Sequence, residues 1–344
     1  MTPENYQKEV DKRNIAKTEE LLKEMPYFVR DFFNARRANT TTRTRLVYAY
    51  DLRKFFNWLN DNNPEINRIQ IKNISFDELD KLTARDIEDF ITYLMSSEKD
   101  ANDSAGVARK LSSLSSFFAY LSKHELINKN PCDNVDKPKV RDVEIIKLTP
   151  EEISLLLDTI QLGSKSFSWK QEDYLQKTRI RDYTIVAIML STGIRVSELV
   201  GINCSDLYLN ECRMVVRRKG GNVANIYLSD EICDAILDYL EYRKTLKIPE
   251  ENDALFLSMQ KTRLGVQAVE NMVKKYSKAA GINKKITPHK LRKTYGTELY
   301  NKTGDIYLVA STLGHSSVAT TTKHYAVQDE INKQAARNEI KLNN

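Results

Sequence analysis

The sequence predicts a mainly α protein of two domains with one small β-hairpin or sheet, and three observations carry that prediction. Apolar residues recur every three or four positions through the first two fifths of the chain, the period of a helix with one buried face, and further helices are expected beyond. Strand-type patterning is confined to two short neighbouring runs, 213–218 and 223–228, around a glycine-rich turn. With 344 residues, 41% of them hydrophobic, the chain can fill two ordinary cores; residues 128–146, with two prolines, alternating charges and little periodicity, separate them.

In order, the period predicts helices over 3–24, 26–37, 42–60, 83–95 and 104–121 in the first part. Thr83 and Asp86 supply cap and first-turn chemistry to the fourth of these. After the break, Thr149-Pro150-Glu151-Glu152 opens a helix with a cap, a proline at the first position and early acids. Residues 161–177 are polar and rich in Ser and Lys and read as a loop or insertion before an apolar helix over 182–191. Lys219-Gly220-Gly221-Asn222 joins the two strands as a hairpin turn, since these residues tolerate positive φ. Helices follow over 230–245, 267–280, 288–300, 306–313 and 318–325, with a tail over 329–340.

Composition excludes several classes. No run approaches the ~18 to 20 apolar residues of a membrane span, and residues 1–23 are charged throughout, unlike a secretory signal. A cytoplasmic protein with no membrane partner is expected. Four scattered cysteines, Cys132, Cys204, Cys212 and Cys233, suit neither a disulfide framework nor a zinc knuckle. The formal charge of +6 is uneven, with 23 basic and 22 acidic residues up to 140 and 30 and 25 beyond, so a polyanionic partner fits the second part best.

The chemistry-bearing residues also concentrate there. Three of the four histidines, His289, His315 and His324, fall in the last 56 residues, beside Arg292 and Tyr325. Arg195, at the junction between an apolar helix and a short one, could aim its rigid fork at a phosphate or pair with Glu198 in solvent. His289 and Arg292, three apart on a helix, could give one site a proton carrier and a fixed cation, or be a helix-end histidine and a surface charge. Lys219 at the hairpin tip could protonate a leaving alkoxide, pair with a phosphate, or belong to a solvated basic turn with Arg217 and Arg218. A tyrosine with a pKa near ~10 attacks at neutral pH only where a base or strong donors stabilise its phenolate, and Tyr325, one of 17 tyrosines, has such company.

Together STGIRVSEL (191–199), RRKGGN (217–222), HKLR (289–292), LGHSS (313–317) and KHYA (323–326) resemble, in order and spacing, the catalytic domain of the tyrosine recombinase (phage integrase) family. The match covers residues 149 to about 329, and five ordered elements are far more specific than any one. The resemblance implies that Arg195 and Arg292 clamp a DNA phosphate and Tyr325 attacks it. His289 would be the general base or a hydrogen-bond partner, Lys219 the general acid for the 5′ oxygen, and His315 a further phosphate donor, with Glu198 orienting the site. No cofactor or metal is implied. Lys293 stands where many members of the family have histidine, and could add a phosphate contact.

The first part resembles, more loosely, the helical core-binding domain of the same family. The implied architecture is a two-domain, C-shaped DNA clamp. It comprises an N-terminal helical extension (1–24), a core-binding, SAM-like domain (25–130), a linker (131–147), a mixed α/β catalytic domain (148–328) and a tail helix (329–344) docking on a neighbouring protomer. Thr42, Arg43, Arg45, Arg109 and Lys110 are the expected DNA contacts of the first domain, and Arg217, Arg218, Lys290 and Lys293 those of the second. The implied partners are a double-stranded recombination site, a homotetramer on two such sites, and an accessory DNA translocase or other activator, in the nucleoid. The long first helix, the 161–177 segment and the ending HYAVQDEINKQA look similar to single-protein Xer systems of Gram-positive bacteria, which resolve chromosome dimers. The alternatives are an integrase or excisionase of a mobile element, a DNA-binding protein with a dormant site, and a type IB topoisomerase. A histidine metal enzyme is disfavoured because His289, His315 and His324 match no common metal spacing.

Overall fold

The computed structural model describes residues 3–96, 104–136, 138, 146–218, 222–249 and 251–314. The chain divides into two compact units, one of residues 7–143 and one of residues 144–344 with the first six. Among the described residues no helix is long and apolar enough to cross a membrane.

The first unit is built from helices: α1 (Pro3–Leu22), α2 (Tyr27–Ala35), α3 (Thr42–Asn62), α4 (Phe76–Asp80), α5 (Ala84–Ser96) and α6 (Ser104–Lys123). Their starts follow from local chemistry. Thr41 caps α3 by accepting the Thr44 N–H at 3.1 Å, and Ser75 and Glu78 form a capping box on α4. Helices α2, α3, α5 and α6 then turn apolar faces with aromatic residues inward. Phe28, Val29, Phe32 and Phe33 of α2 meet Phe55, Phe56 and Leu59 of α3, Phe90 of α5 and Phe117, Phe118 and Leu121 of α6 in one core. The rings interlock edge to face, Phe55 against Phe90 at 5.2 Å and Phe32 against Phe117 at 5.5 Å. Truncating any one of them to alanine costs about 3–5 kcal/mol. The segment read as an extension supplies Leu21 and Leu22 to this core, and its Asn14 donates to Thr42 at 3.2 Å.

The second unit carries α7 (Pro150–Leu162), α8 (Trp169–Thr192), α9 (Val196–Gly201), β1 (Leu207–Tyr208), β2 (Arg213–Arg217), β3 (Val223–Tyr227), α10 (Asp230–Thr245), α11 (Val266–Ala279), α12 (Pro288–Thr303) and α13 (Ile306–Leu313). Helix α8 is the axle. Ile185, Val186, Ala187, Ile188 and Met189 are buried in succession, so its last turns are covered all round, chiefly by α7, α10 and α12. The sheet is antiparallel in the order β1-β2-β3, with Met214 opposite Leu207 and Ile226, and Val216 opposite Ala224. Met214 and Val216 face the core, while Arg213 lies in the other set, its guanidinium 4.0 Å above the Tyr208 ring. The two-strand hairpin expected from sequence therefore gains a third, two-residue strand.

One expectation is overturned. Residues 161–177 are not an insertion loop: α7 runs to Leu162, and α8 begins at Trp169 and continues unbroken for 24 residues. Ser168 accepts the Gln171 N–H while Gln171 reaches back to the Ser168 N–H at 2.8 Å, a capping box that starts the helix early. Leu175, Thr178, Arg181 and Asp182 then form its buried stripe, and because three of those four are polar the stripe escapes an apolar-period reading. The expected helices over 318–325 and 329–340, and Lys219, Gly220 and Gly221 of the turn, lie outside the described residues.

Candidate active site

Helix α8 ends at Gly193, whose φ of +62° and N–H bond to the Met189 carbonyl at 3.1 Å make it a left-handed C-cap. A Cβ there would lie 2.5 Å from Tyr295 Cδ1 on α12 and 2.8 Å from Leu313 Cδ2 on α13, so only glycine lets the three helices converge. Two residues on, Arg195 is the N-cap of α9. Buried Glu198 binds both ends of it, accepting the backbone N–H at 3.1 Å and Nη1 at 2.8 Å. Glu198 thus fixes the guanidinium, which is otherwise half-exposed.

Thr287 stands at the N-cap position of α12, without a side-chain capping bond, and Pro288 occupies its first position, so His289 and Arg292 follow at the start of the helix, three apart. His289 is exposed, whereas Arg292 is only 6% exposed. Arg292 donates Nη1 to the Gly193 carbonyl at 2.5 Å and Nη2 to the Leu313 carbonyl. Lys290 and Lys293 continue the same helix half-buried; burial first, then the Lys290 charge, lowers the Lys293 pKa below the ordinary lysine value.

These side chains meet at the C-terminal end of α13, where the helix carries the negative end of its dipole and the Gly314 N–H closes back on the Ser311 carbonyl at 2.9 Å. Arg292 takes Leu313, Arg195 Nη2 takes the Gly314 carbonyl at 3.0 Å, and Arg218, just past β2, takes Thr312 at 3.0 Å and Ser311 at 3.4 Å. Three guanidiniums from three elements therefore share one helix end, with the Glu198 carboxylate beside Arg195. Arg195 and Arg292 in it are suited to an anion, since a charged oxygen makes roughly twice as strong a bond to guanidinium as a neutral carbonyl does.

The structure brings together Arg195, Arg292 and Glu198 and leads the chain directly into two further expected residues, Lys219 after Arg218 and His315 after Gly314. Lys219, His315 and Tyr325 themselves lie outside the described residues. Other expected DNA contacts divide. Arg43 and Arg217 are exposed. Thr42 instead donates to Asp11, Arg45 donates to the Thr40 carbonyl at 2.6 Å and the Arg37 carbonyl at 3.1 Å, and Arg109 pairs with the buried Asp51, which Ser113 also serves at 2.7 Å. Lys110 is half-buried on α6. Sequence reasoning missed the role of the α13 end; Gly314 directly after an apolar run was the available signal, as a helix C-cap. A separate groove of about 890 Å³ is lined by Tyr183, Glu231, Asp234, Asp238 and Glu241 and by none of the arginines above. Its four carboxylates outnumber its one arginine, Arg179, and repel phosphate, so the arginine cluster, and not this groove, is the candidate site.

Comparison with known proteins agrees with this geometry. The sequence pattern described as "Phage integrase family" matches residues 147–331, and "Phage integrase, N-terminal SAM-like domain" matches residues 29–128. Tyrosine recombinase XerC of Caldanaerobacter subterraneus is 34% identical over 298 residues, covering 84% of this chain and 79% of the relative. Tyrosine recombinase XerS of Streptococcus uberis is 30% identical over 350 residues, covering 93% and 97%. Among solved structures, XerH site-specific recombinase bound to its palindromic difH substrate superposes with a TM-score of 0.64 at 21% identity, over 89% of this chain and 82% of that one, a likeness of fold. On these matches, the chain belongs to the phage integrase family and is a tyrosine recombinase.

Proposed function

We propose that this chain is a site-specific DNA recombinase that cleaves and rejoins duplex DNA through a 3′-phosphotyrosyl intermediate and a Holliday junction, acting in chromosome dimer resolution. The observation that carries the reading is the meeting of Arg195 and Arg292 at one helix end, with Glu198 fixing the first, in a chain of this family. The guanidinium N–H groups now on carbonyls are the donors that a phosphodiester would take over.

In the reaction, the Tyr325 oxygen attacks phosphorus and gives its proton to His289. The bond from phosphorus to the 5′ oxygen breaks, and that oxygen takes a proton from Lys219. The linkage energy is kept in the phosphotyrosyl ester, so the reverse attack by a 5′ hydroxyl of another strand needs no nucleotide cofactor. Arg195, Arg292 and His315 stabilise the charge that grows on the non-bridging oxygens, where loss of one preorganised donor costs on the order of 3 kcal/mol, or ~10² in rate. The DNA partner is supported by the fold shared with DNA-bound recombinases and by exposed Arg43 and Arg217. Similarity to Xer proteins across most of the chain favours chromosome dimers over a mobile element as the substrate, with a tetramer on two sites and an accessory protein activator.

The test is formation of a denaturant-resistant protein–DNA adduct on nicked duplexes of the host genome, in chelator. The unsubstituted chain should form it, and Tyr325→Phe should bind DNA equally and form none. An adduct with Tyr325→Phe would overturn the nucleophile, and sedimentation of the synapsed complex reads the tetramer.

A further inference from the structure

Arg218 was expected to contact DNA, but its guanidinium is turned onto the protein. Its backbone N–H closes the hairpin on the Asn222 carbonyl at 2.7 Å, while Nη1 and Nη2 reach residues 93 and 94 positions away, the Ser311 and Thr312 carbonyls. The approach is close, and the backbone opposite is left-handed. At Gly314, with φ of +62°, a Cβ would lie 2.0 Å from Arg218 Nη1 and 2.4 Å from Cζ, both in the planar head that the carbonyls hold. Arg218 Nε is buried and has no acceptor among the described residues, so the side chain is held here by its two terminal nitrogens. This is a rigid strut between the strand that leads into Lys219 and the helix end that leads into His315.

From this geometry we infer that Arg218 is a positioning residue for strand cleavage: it fixes the base of the hairpin on the end of α13 so that Lys219 reaches the leaving 5′ oxygen. The inference rests on the reading of Lys219 as the general acid. It also explains why the helix end carries three arginines. A phosphate draws Arg195 and Arg292 away from the Gly314 and Leu313 carbonyls, whereas Arg218 keeps Ser311 and Thr312, so the helix end stays capped while the clamp is in use. A lysine in its place could offer one ammonium to one carbonyl and would hold the hairpin less firmly.

The experiment compares adduct formation in single turnover on a nicked duplex with the ordinary 5′ oxygen and on one with sulfur at that bridging position. A thiolate departs without a proton, so the sulfur substrate bypasses the general acid and whatever positions it. Arg218→Ala should cleave the oxygen substrate about 10²-fold more slowly, as a misplaced catalytic group does, and the sulfur substrate within about threefold of the unsubstituted rate. Arg218→Lys should fall between, DNA affinity and its salt dependence should be unchanged for both variants, and Lys219→Ala should show the same sulfur rescue. Equal slowing of Arg218→Ala on both substrates, no slowing on either, or a weaker and less salt-dependent Kd would each overturn the inference, the last by returning Arg218 to a phosphate contact. Failure of sulfur to rescue Lys219→Ala, or no adduct from the unsubstituted chain on either substrate, would instead remove the reading beneath it. A melting temperature for Arg218→Lys close to that of the unsubstituted chain excludes misfolding as the source of the effect.

Discussion

Arg181 and Arg292 are buried to the same degree, 6% exposed, in the same unit, and they do opposite things with their charge. Arg181 is neutralised on the spot. Its Nε and Nη2 donate to Asp182 at 2.9 and 2.6 Å and its Nη1 to the Leu257 carbonyl at 2.6 Å, while the other Asp182 oxygen accepts from Thr178 at 3.0 Å and Tyr276 at 2.8 Å. Burial works against its charge, but the Asp182 carboxylate raises its pKa all the same. Arg292 donates to the neutral carbonyls of Gly193 and Leu313, at a helix end shared with two more guanidiniums. The contrast separates a cation bonded to a buried carboxylate from one bonded to the carbonyls of a helix end that two other arginines share. Burial alone marks neither; the chemistry of the acceptors does.

Arg181→Ala should break the scaffold side most severely. It strands the Asp182 carboxylate, at 0% exposure, without its cation, and such a loss costs about 3–5 kcal/mol, read as a fall in the denaturation midpoint. Adduct formation per folded molecule should be unchanged. Pairing it with Asp182→Leu should recover part of the stability, since it removes the stranded charge but leaves the Tyr276 hydroxyl without its acceptor. If the single variant cleaves slowly while remaining as stable as the parent, the two arginines are not divided as argued.

Arg292→Ala should give the mirror result: a loss of roughly 10²-fold or more in adduct formation at saturating DNA, on the order of 3 kcal/mol of transition-state stabilisation, with DNA affinity little altered. Arg292→Lys should rescue little, because a lysine cannot span both carbonyls now, or two phosphate oxygens in the reaction. Gly193→Ala sharpens the comparison from the backbone side. Its Cβ would meet the rings and methyls of Tyr295 and Leu313 in a left-handed conformation, at a cost of about 1–3 kcal/mol, and it would part the helices that carry Arg195 and Arg292. Stability and cleavage should therefore fall together in this variant, whereas each arginine variant moves only one of them.

The two arginines also differ in how far sequence exposes them. Arg292 is legible because HKLR follows a proline that starts a helix and stands in order with four other motifs. Arg181 is not, because its meaning lies in its own bond to Leu257 and in the bond of Tyr276 to its partner Asp182, both far away in the chain. The same blindness produced the error at 161–177, where a buried polar stripe looked like a solvated loop, although Ser168 and Gln171 announced a helix start. Helices α2, α3, α5 and α6 were readable because their buried faces are periodic and carry aromatic residues, whereas the five-residue helix α4, absent from the expected set, and the two-residue strand β1 have too few residues to carry a pattern. Glycines 193 and 314 stood in motifs, yet the need for them is steric and appears only when α8, α12, α13 and the hairpin are assembled.

The smallest effects test whether the same distinction holds in the first unit. Arg43 and Arg45 are two residues apart at the start of α3, and sequence gives no reason to prefer either as a phosphate contact. Arg45 is occupied by the Thr40 and Arg37 carbonyls, as a strut across the turn before the helix, while Arg43 is exposed. Arg43→Ala should therefore weaken DNA binding modestly and uniformly across sequences and reduce the salt slope by about 1, with no change in the melting temperature. Arg45→Ala should leave the salt slope alone and lower stability by about 1 kcal/mol, the usual worth of a hydrogen bond or two of this kind. Equal salt slopes for the two variants would mean that carbonyl contacts do not decide which arginines of this protein are free to meet phosphate, and the division drawn between Arg181 and Arg292 would then be a property of that one pair.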